Sequence, residues 1–277
     1  MALAKRPLRR VWERKELYDI VMSLYNNGMS YNEIIKTLLV EHRIRIRKSH
    51  ISDWVNGKHH PYGSTYEFQP TPSPELGYLI GVAKGDGSVR IQKWNHRVRL
   101  RVIDKDFAEE FDRCASSVLR SPRHAITWLP KQGLWCVEIL SVLLVRLLEG
   151  PFPKLIEIVS HCDDCTAGFL RGFFDSEASI SRRCLTLSNG NLRIMILVRK
   201  LLKRLRILTT GPRLSQKGGR LVVIKGRIYH ANKNIYVLYV RAMSLQEYAA
   251  RVGFSVMRKR MALFTALRGD LTNRKRT

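Results

Sequence analysis

The chain has 277 residues, 45% of them hydrophobic, which is enough to bury a sizeable core and excludes a disordered polypeptide. Its 49 Lys and Arg outnumber 23 Asp and Glu, and the resulting formal charge of +26 is spread along the whole length, which calls for a polyanionic partner. The apolar run Ile139 to Leu148 is short and carries Arg146, which argues against a membrane span, and the basic start lacks a secretory stretch, so a cytoplasmic protein with five reduced thiols is expected.

The first element is a helix in which Leu17, Ile20, Val21 and Leu24 recur at helical spacing until Asn26-Asn27-Gly28 stops it. Ser30 with Glu33 three residues on predicts a capping box for a second helix, whose apolar face is Ile34, Ile35, Leu38 and Leu39. A third short helix over Lys48 to Val55 ends at Gly57. Helix, turn and polar helix resemble a helix-turn-helix, with Lys48, Ser49 and His50 as its DNA-facing residues. Residues 1–66 hold 12 basic and 6 acidic side chains, which suits a DNA-binding module; a packing bundle with solvated charges is the alternative. Residues 67–73, with the proline-rich Gln69-Pro70-Thr71-Pro72-Ser73 leading into Pro74, read as a linker.

Beyond the linker the chain repeats itself. Leu76-Gly77-Tyr78-Leu79-Ile80-Gly81-Val82-Ala83-Lys84-Gly85-Asp86 matches Ala167-Gly168-Phe169-Leu170-Arg171-Gly172-Phe173-Phe174-Asp175-Ser176-Glu177 at an offset of 91 residues. Small residues four apart clear one helix face of side chains, so two such helices can pack almost backbone to backbone. Ser73 before Pro74, and Asp163 or Asp164, are the expected N-caps. The C-terminal ends of the two helices would then bring Asp86 and Glu177 together. His161-Cys162-Asp163-Asp164-Cys165 has the appearance of half a zinc site, but no second Cys-x-x-Cys or spaced His pair accompanies it, so a capping turn is the simpler expectation. Gly85-x-Gly87 follows a helix instead of opening one, and no nucleotide cofactor is indicated.

Arg97-Val98-Arg99-Leu100-Arg101-Val102 alternates as a half-buried strand does, with Arg97, Arg99 and Arg101 on one face. Helices over about 106–119 and 191–205, with further strand pairs, give the order αββαββα twice, in repeats spanning 74–160 and 161–277.

This order with two glycine-rich acidic helices resembles the monomeric, two-motif LAGLIDADG homing endonucleases of the intron-encoded type, over residues 74 to about 268. The resemblance implies an α+β fold of two pseudo-symmetric repeats forming a saddle, behind the small all-α domain. It implies site-specific hydrolysis of double-stranded DNA at a long asymmetric target by a monomer. Magnesium or manganese would be held by Asp86 and Glu177, with Gly85 and Ser176 beside them. Lys259, and Lys154 in the first repeat, are the candidate basic residues of the active centre. Arg90, Arg97, Arg99 and Arg101 would contact one half-site, and Arg182, Arg213, Gln216, Lys217, Lys225 and Arg227 the other. Lys84 stands where the first aspartate of the motif is expected, and Glu177 and Ala178 replace aspartate and glycine, which implies an asymmetric site. Two other functions stay open on the sequence: a DNA-binding regulator that has lost catalysis, and an RNA-splicing maturase on the same scaffold, since phosphate attraction does not separate RNA from DNA.

Overall fold

The computed structural model describes residues 11–59, 68, 70–92, 95–219, 221–224, 227–230 and 233–274. The chain divides into two compact units, Met1–Glu67 and Phe68–Thr277.

Among its described residues the first unit has three helices, α1 (Val11–Asn26), α2 (Tyr31–Glu41) and α3 (Lys48–Val55). Leu17 and Val21, Ile34 and Leu38, and Ile51 and Trp54 supply one apolar face from each helix and close a small core. The predicted capping box forms: Ser30 Oγ accepts the Glu33 N–H at 3.4 Å, and the Glu33 carboxylate accepts the Ser30 N–H at 2.8 Å.

The second unit opens with α4 (Pro74–Lys84), β1 (Ser88–Gln92), β2 (Asn95–Val102), α5 (Lys105–Leu119), β3 (Ile126–Leu129), β4 (Leu134–Leu140), α6 (Val142–Leu148) and α7 (Phe152–Val159). It continues through α8 (Asp163–Glu177), β5 (Ala178–Ser181), β6 (Cys184–Asn189), α9 (Leu192–Arg204), β7 (Thr209–Gln216), β8 (Leu221–Ile224), β9 (Arg227–His230) and β10 (Ile235–Val240). After a 3-10 turn come α10 (Leu245–Arg251) and α11 (Met257–Arg274). The two antiparallel sheets have equivalent strand orders, β1-β2-β4-β3 and β5-β6-β10-β7. This is the doubled αββαββα order with two departures: each repeat closes with a second helix, α7 and α11, and the β8–β9 hairpin is inserted between β7 and β10 as a separate two-stranded sheet.

Each sheet buries one face. Val98, Leu100, Val137 and Ile139 face inward in the first sheet, and Leu185, Leu187, Leu238 and Val240 in the second. The alternate positions, including Arg97, Arg99, Thr186, Ser188 and Tyr239, are left on the opposite faces. No helix among the described residues is long and apolar enough to cross a membrane.

Between the sheets lie α4 and α8, and every residue from Leu76 to Val82 is buried. Their contact is made by backbone. A Cβ on Gly77 would stand 2.5 Å from the Cys165 carbonyl oxygen, and one on Gly81 would stand 2.7 Å from the Phe173 nitrogen and closer still to the Phe169 carbonyl. Reciprocally, a Cβ on Gly168 would collide with the Pro74 carbonyl and one on Gly172 with that of Tyr78. Ser73 caps α4 as expected, its Oγ accepting the Leu76 N–H at 3.1 Å ahead of Pro74. At α8 the expectation is corrected: the N-cap is Cys162, whose sulfur accepts the Cys165 N–H at 3.3 Å, while Asp163 and Asp164 fall inside the first turn, where negative charge favours the helix end.

In an ordinary helix interior Gly→Ala stabilises by about 1 kcal/mol. Here Gly81→Ala or Gly172→Ala should instead destabilise by about 1–3 kcal/mol, because the backbone opposite cannot yield as a side chain can. Urea denaturation measures this, and a Gly172→Ala protein more stable than the parent would refute the backbone contact.

Candidate active site

The packing of α4 on α8 decides what stands at their shared end. Gly85 is the C-cap of α4, and a Cβ there would strike the Cβ of Ser176 and come within 3.3 Å of Glu177 Cγ. Glu177 ends α8, and Asp86 occupies the turn after α4. Glu177 feels the charge of Asp86. The Glu177 carboxyl is pushed up to about 7, first by burial and next by Asp86, against the Asn189 amide, which donates to Oε1 at 3.0 Å, and the Lys259 charge. Asp86 has an accessible side chain, yet the protein around it withholds enough water to raise its carboxyl, with Lys259 pulling the other way.

Lys259 is buried, with 7% of its surface exposed. Its ammonium donates to the carbonyls of Phe174 at 3.1 Å and Asp175 at 2.6 Å near the end of α8, where the Phe174 carbonyl also accepts the Ala178 N–H. Burial lowers its pKa, and Asp175 and Asp86 oppose that. Lys154 is exposed in the first turn of α7 and is not among the charges that act on Asp86, Asp175 or Glu177.

Asp175, 2% exposed, accepts the Ser255 N–H at 3.1 Å, the Tyr78 hydroxyl at 3.0 Å and a shorter hydrogen bond from the Ser255 hydroxyl. Burial still raises its carboxyl to about 6. The equivalent position in α4 is Lys84, whose ammonium donates to the Leu148 carbonyl at the end of α6, at 2.8 Å. The replacement reverses polarity: the acid of one repeat binds N–H groups ahead of a helix, and the lysine of the other binds a carbonyl at the close of one.

On the open face of the first sheet Arg97 and Arg99 are not free. Glu138 holds both, with Oε1 3.3 Å from Arg97 Nη1 and Oε2 2.6 Å from Arg99 Nε. Arg90 and Arg101 are exposed on the same face, Arg90 across from Arg97. In the second sheet Arg213 stacks on Tyr239, its guanidinium carbon 5.1 Å from the ring centre, and Gln216 ends β7 opposite Ile235. Arg182 sits exposed in the β5–β6 turn, and Lys217 exposed after β7. Arg227 begins β9, and Lys225 lies outside the described residues. Lys48, Ser49 and His50 are exposed in the first turn of α3, in the other unit. Asn189 and Glu138 were not singled out by the sequence; Asn189 ends a strand with other polar residues and Glu138 is the one charge in an apolar strand, and only the fold shows what each meets.

Two pseudo-symmetric sheets on a backbone-packed pair of motif helices, with an acid at the end of each, define a LAGLIDADG protein. The chain belongs to the LAGLIDADG family. Residues 164–253 match the LAGLIDADG-like domain. The chain is 32% identical over 252 residues to the uncharacterized protein MJ0398 of Methanocaldococcus jannaschii, covering 90% of this chain and 92% of that one. MJ0314 of the same organism is 28% identical over 149 residues, covering 53% and 54%. Among solved structures the chain is similar to I-DmoI in complex with DNA and Mn, with a TM-score of 0.48, 14% identity and coverage of 66% and 98%. It is also similar to full-length DUF199/WhiA from Thermatoga maritima, with a TM-score of 0.47, 14% identity and coverage of 75% and 63%.

The raised Glu177 carboxyl has a measurable effect on metal-free protein. The folded group titrates near 7 and its ordinary value is 4.5, so between these the native state holds a proton that the unfolded chain has released. This contribution is full below about pH 4.5 and lost as pH rises through 7. In the presence of a chelator, Glu177→Gln should therefore gain on the parent by about 1–2 kcal/mol more at pH 8 than at pH 4.5, the value being discounted for the solvent that still reaches the group. Equal differences at both pH values in urea denaturation would refute the shift.

Proposed function

We propose that this protein is a site-specific endonuclease that cuts double-stranded DNA at a long asymmetric target with the help of a divalent cation. The observation that carries the reading is the meeting of Asp86 and Glu177 at the ends of two helices, each with its carboxyl raised and Glu177 raised partly by Asp86. Two acids held together in partly desolvated surroundings destabilise the empty site, and a hard cation with oxygen preference relieves both terms.

Asp86 and Glu177 are the residues that would hold magnesium or manganese, with Gly85 and Ser176 in the chain immediately before them. Bound there, the cation would supply an activated water and stabilise charge on the leaving oxygen. The protein's own part is positional. Asn189 fixes Oε1 of Glu177, and Lys259 ties down the last turn of α8. Because one chain provides both acids, a monomer suffices. Glu177 is one methylene longer than Asp86, so the two strands should be cut at unequal rates. Arg90, Arg97, Arg99, Arg101, Arg182, Arg213, Gln216, Lys217, Lys225 and Arg227 are the proposed DNA contacts, and Lys48, Ser49 and His50 would lengthen the footprint. A second reading, binding without cutting, is favoured by the engagement of Lys259 with two backbone carbonyls, which assigns that lysine to the helix end.

The test is cleavage of DNA spanning intron-free insertion sites, with magnesium and with a chelator. Magnesium-dependent double-strand breaks at one site should appear, and Asp86→Asn or Glu177→Gln should slow them by at least about 100-fold, the order of effect of losing one charge-stabilising contact in a transition state. Specific binding with no cutting in any metal would move the assignment to the binding reading. Independently, Glu138→Gln releases Arg97 and Arg99 to phosphate. Its non-specific DNA affinity should rise, and the slope of log affinity against log salt should steepen by roughly 1–2. An unchanged slope would remove these arginines from the interface.

A further inference from the structure

At the opposite end of α8 from Glu177, two thiol sulfurs and an imidazole converge. The sulfurs of Cys162 and Cys165 are 2.9 Å apart, and a ring nitrogen of His161 lies with both inside a group whose members are all within 4.8 Å of one another. We propose that His161, Cys162 and Cys165 form a binding site for one zinc-class divalent cation, with water in the fourth position.

The geometry requires little rearrangement. A tetrahedral ion at about 2.3 Å from sulfur and about 2.0 Å from nitrogen sets its ligands roughly 3.5–3.8 Å apart. The two sulfurs must open somewhat and the imidazole close in, movements within the reach of side-chain rotation. The Cys-x-x-Cys spacing at a helix start keeps both sulfurs on one turn, and the Cys165 N–H already points at Cys162 Sγ. Burial and Cys162 raise the Cys165 thiol to about 11, so a bound ion must displace its proton.

Burial is graded as an ion site needs. Cys165 is 1% exposed, Cys162 is half-buried and His161 is exposed, so the ion has an inner wall and an open side. Asp163 does not compete, since its carboxylate is engaged by Arg204 Nε at 2.9 Å. Two sulfurs and an imidazole select zinc over magnesium, whereas the oxygens of Asp86 and Glu177 select the reverse. The two ends of one helix thus sort two classes of metal.

The consequence would be structural. The Cys165 carbonyl is the atom against which Gly77 packs, so an ion that fixes Cys165 fixes the place where α4 and α8 first touch. The site is independent of the nuclease reading and survives its failure.

The test is cobalt substitution in the full-length protein, reduced, stripped with a chelator and titrated with Co2+. The expected result is one equivalent bound with the near-ultraviolet band of a thiolate–cobalt bond, unchanged by excess magnesium and displaced by zinc. The band should be abolished in Cys162→Ser, weakened in affinity by about tenfold or more in His161→Ala, and retained in Asp86→Asn/Glu177→Gln, whose ligands carry no sulfur. Cys162 is half-buried, so circular dichroism of Cys162→Ser separates ligand loss from unfolding, and that variant decides the matter if Cys165→Ser does not fold. Folded, reduced parent protein that shows no thiolate band, or a band indifferent to Cys162→Ser, would overturn the proposal. A Cys162–Cys165 disulfide that reforms under mild reductant and excludes cobalt would overturn it as well.

Discussion

The second unit depends on a contact from which side chains are absent. At Gly77, Gly81, Gly168 and Gly172 the added Cβ would meet a backbone atom of the opposite helix, and a backbone atom cannot rotate away as a side chain can. The glycines are poor helix formers, by about 1 kcal/mol each relative to alanine, so the helices persist because packing returns more than propensity withholds. What returns it is burial on the remaining faces. Leu76, Leu79, Ile80 and Val82 on one helix and Phe169, Leu170, Phe173 and Phe174 on the other are at most 1% exposed. Close approach in the middle and apolar surface outside are therefore one solution, and a residue with a side chain at the centre would separate both sheets.

The same approach forces charge into company it would avoid in water. Once the helices touch, Glu177 and Asp86 share a partly desolvated space, and Asp175 and Lys84 are carried inward with them. Each buried group is answered differently. Asp175 is met by the N–H and O–H of Ser255 ahead of α11 and by the Tyr78 hydroxyl of α4, and Lys84 by a carbonyl at the end of α6. An acid and a base are interchangeable at equivalent positions because opposite helix ends present opposite partial charges. Asp86 adds its charge to the burial that raises Glu177, and the Asn189 hydrogen bond to Glu177 and the Lys259 charge do not bring that carboxyl back to its ordinary value.

The architecture is legible in the sequence because it is written in short periods. Glycines every four residues, arginine alternating with an aliphatic residue, and a Ser with Glu three on each announce an element from fewer than ten residues. The site is less legible because its partnerships are long. Tyr78 meets Asp175 across 97 positions and Arg99 meets Glu138 across 39, and no local pattern records such pairs. The start of α8 shows the limit within a single turn. Three residues there can cap, and the cysteine does, since Cys162 alone has the extended backbone that turns its side chain back to the N–H groups. The β8–β9 hairpin interrupts the second repeat between β7 and β10, and the match with the first repeat resumes at β10, which holds the place of β4.

Net charge offers a last argument about the acids. The chain carries +26, and a surface meant only to hold a polyanion gains nothing from carboxylates held close together. Above pH 7 Asp86, Glu177 and Asp175 outweigh Lys259, leaving the cluster negative where the rest of the chain is positive. A phosphodiester brought to that point would be repelled. Protonation of Glu177 relieves part of the repulsion, and a divalent cation relieves more while also adding a ligand for phosphate oxygen. Retained carboxylates in such a position are thus a disadvantage to a protein that only binds nucleic acid and a requirement for one that cuts it with a metal. That asymmetry favours cutting over binding alone.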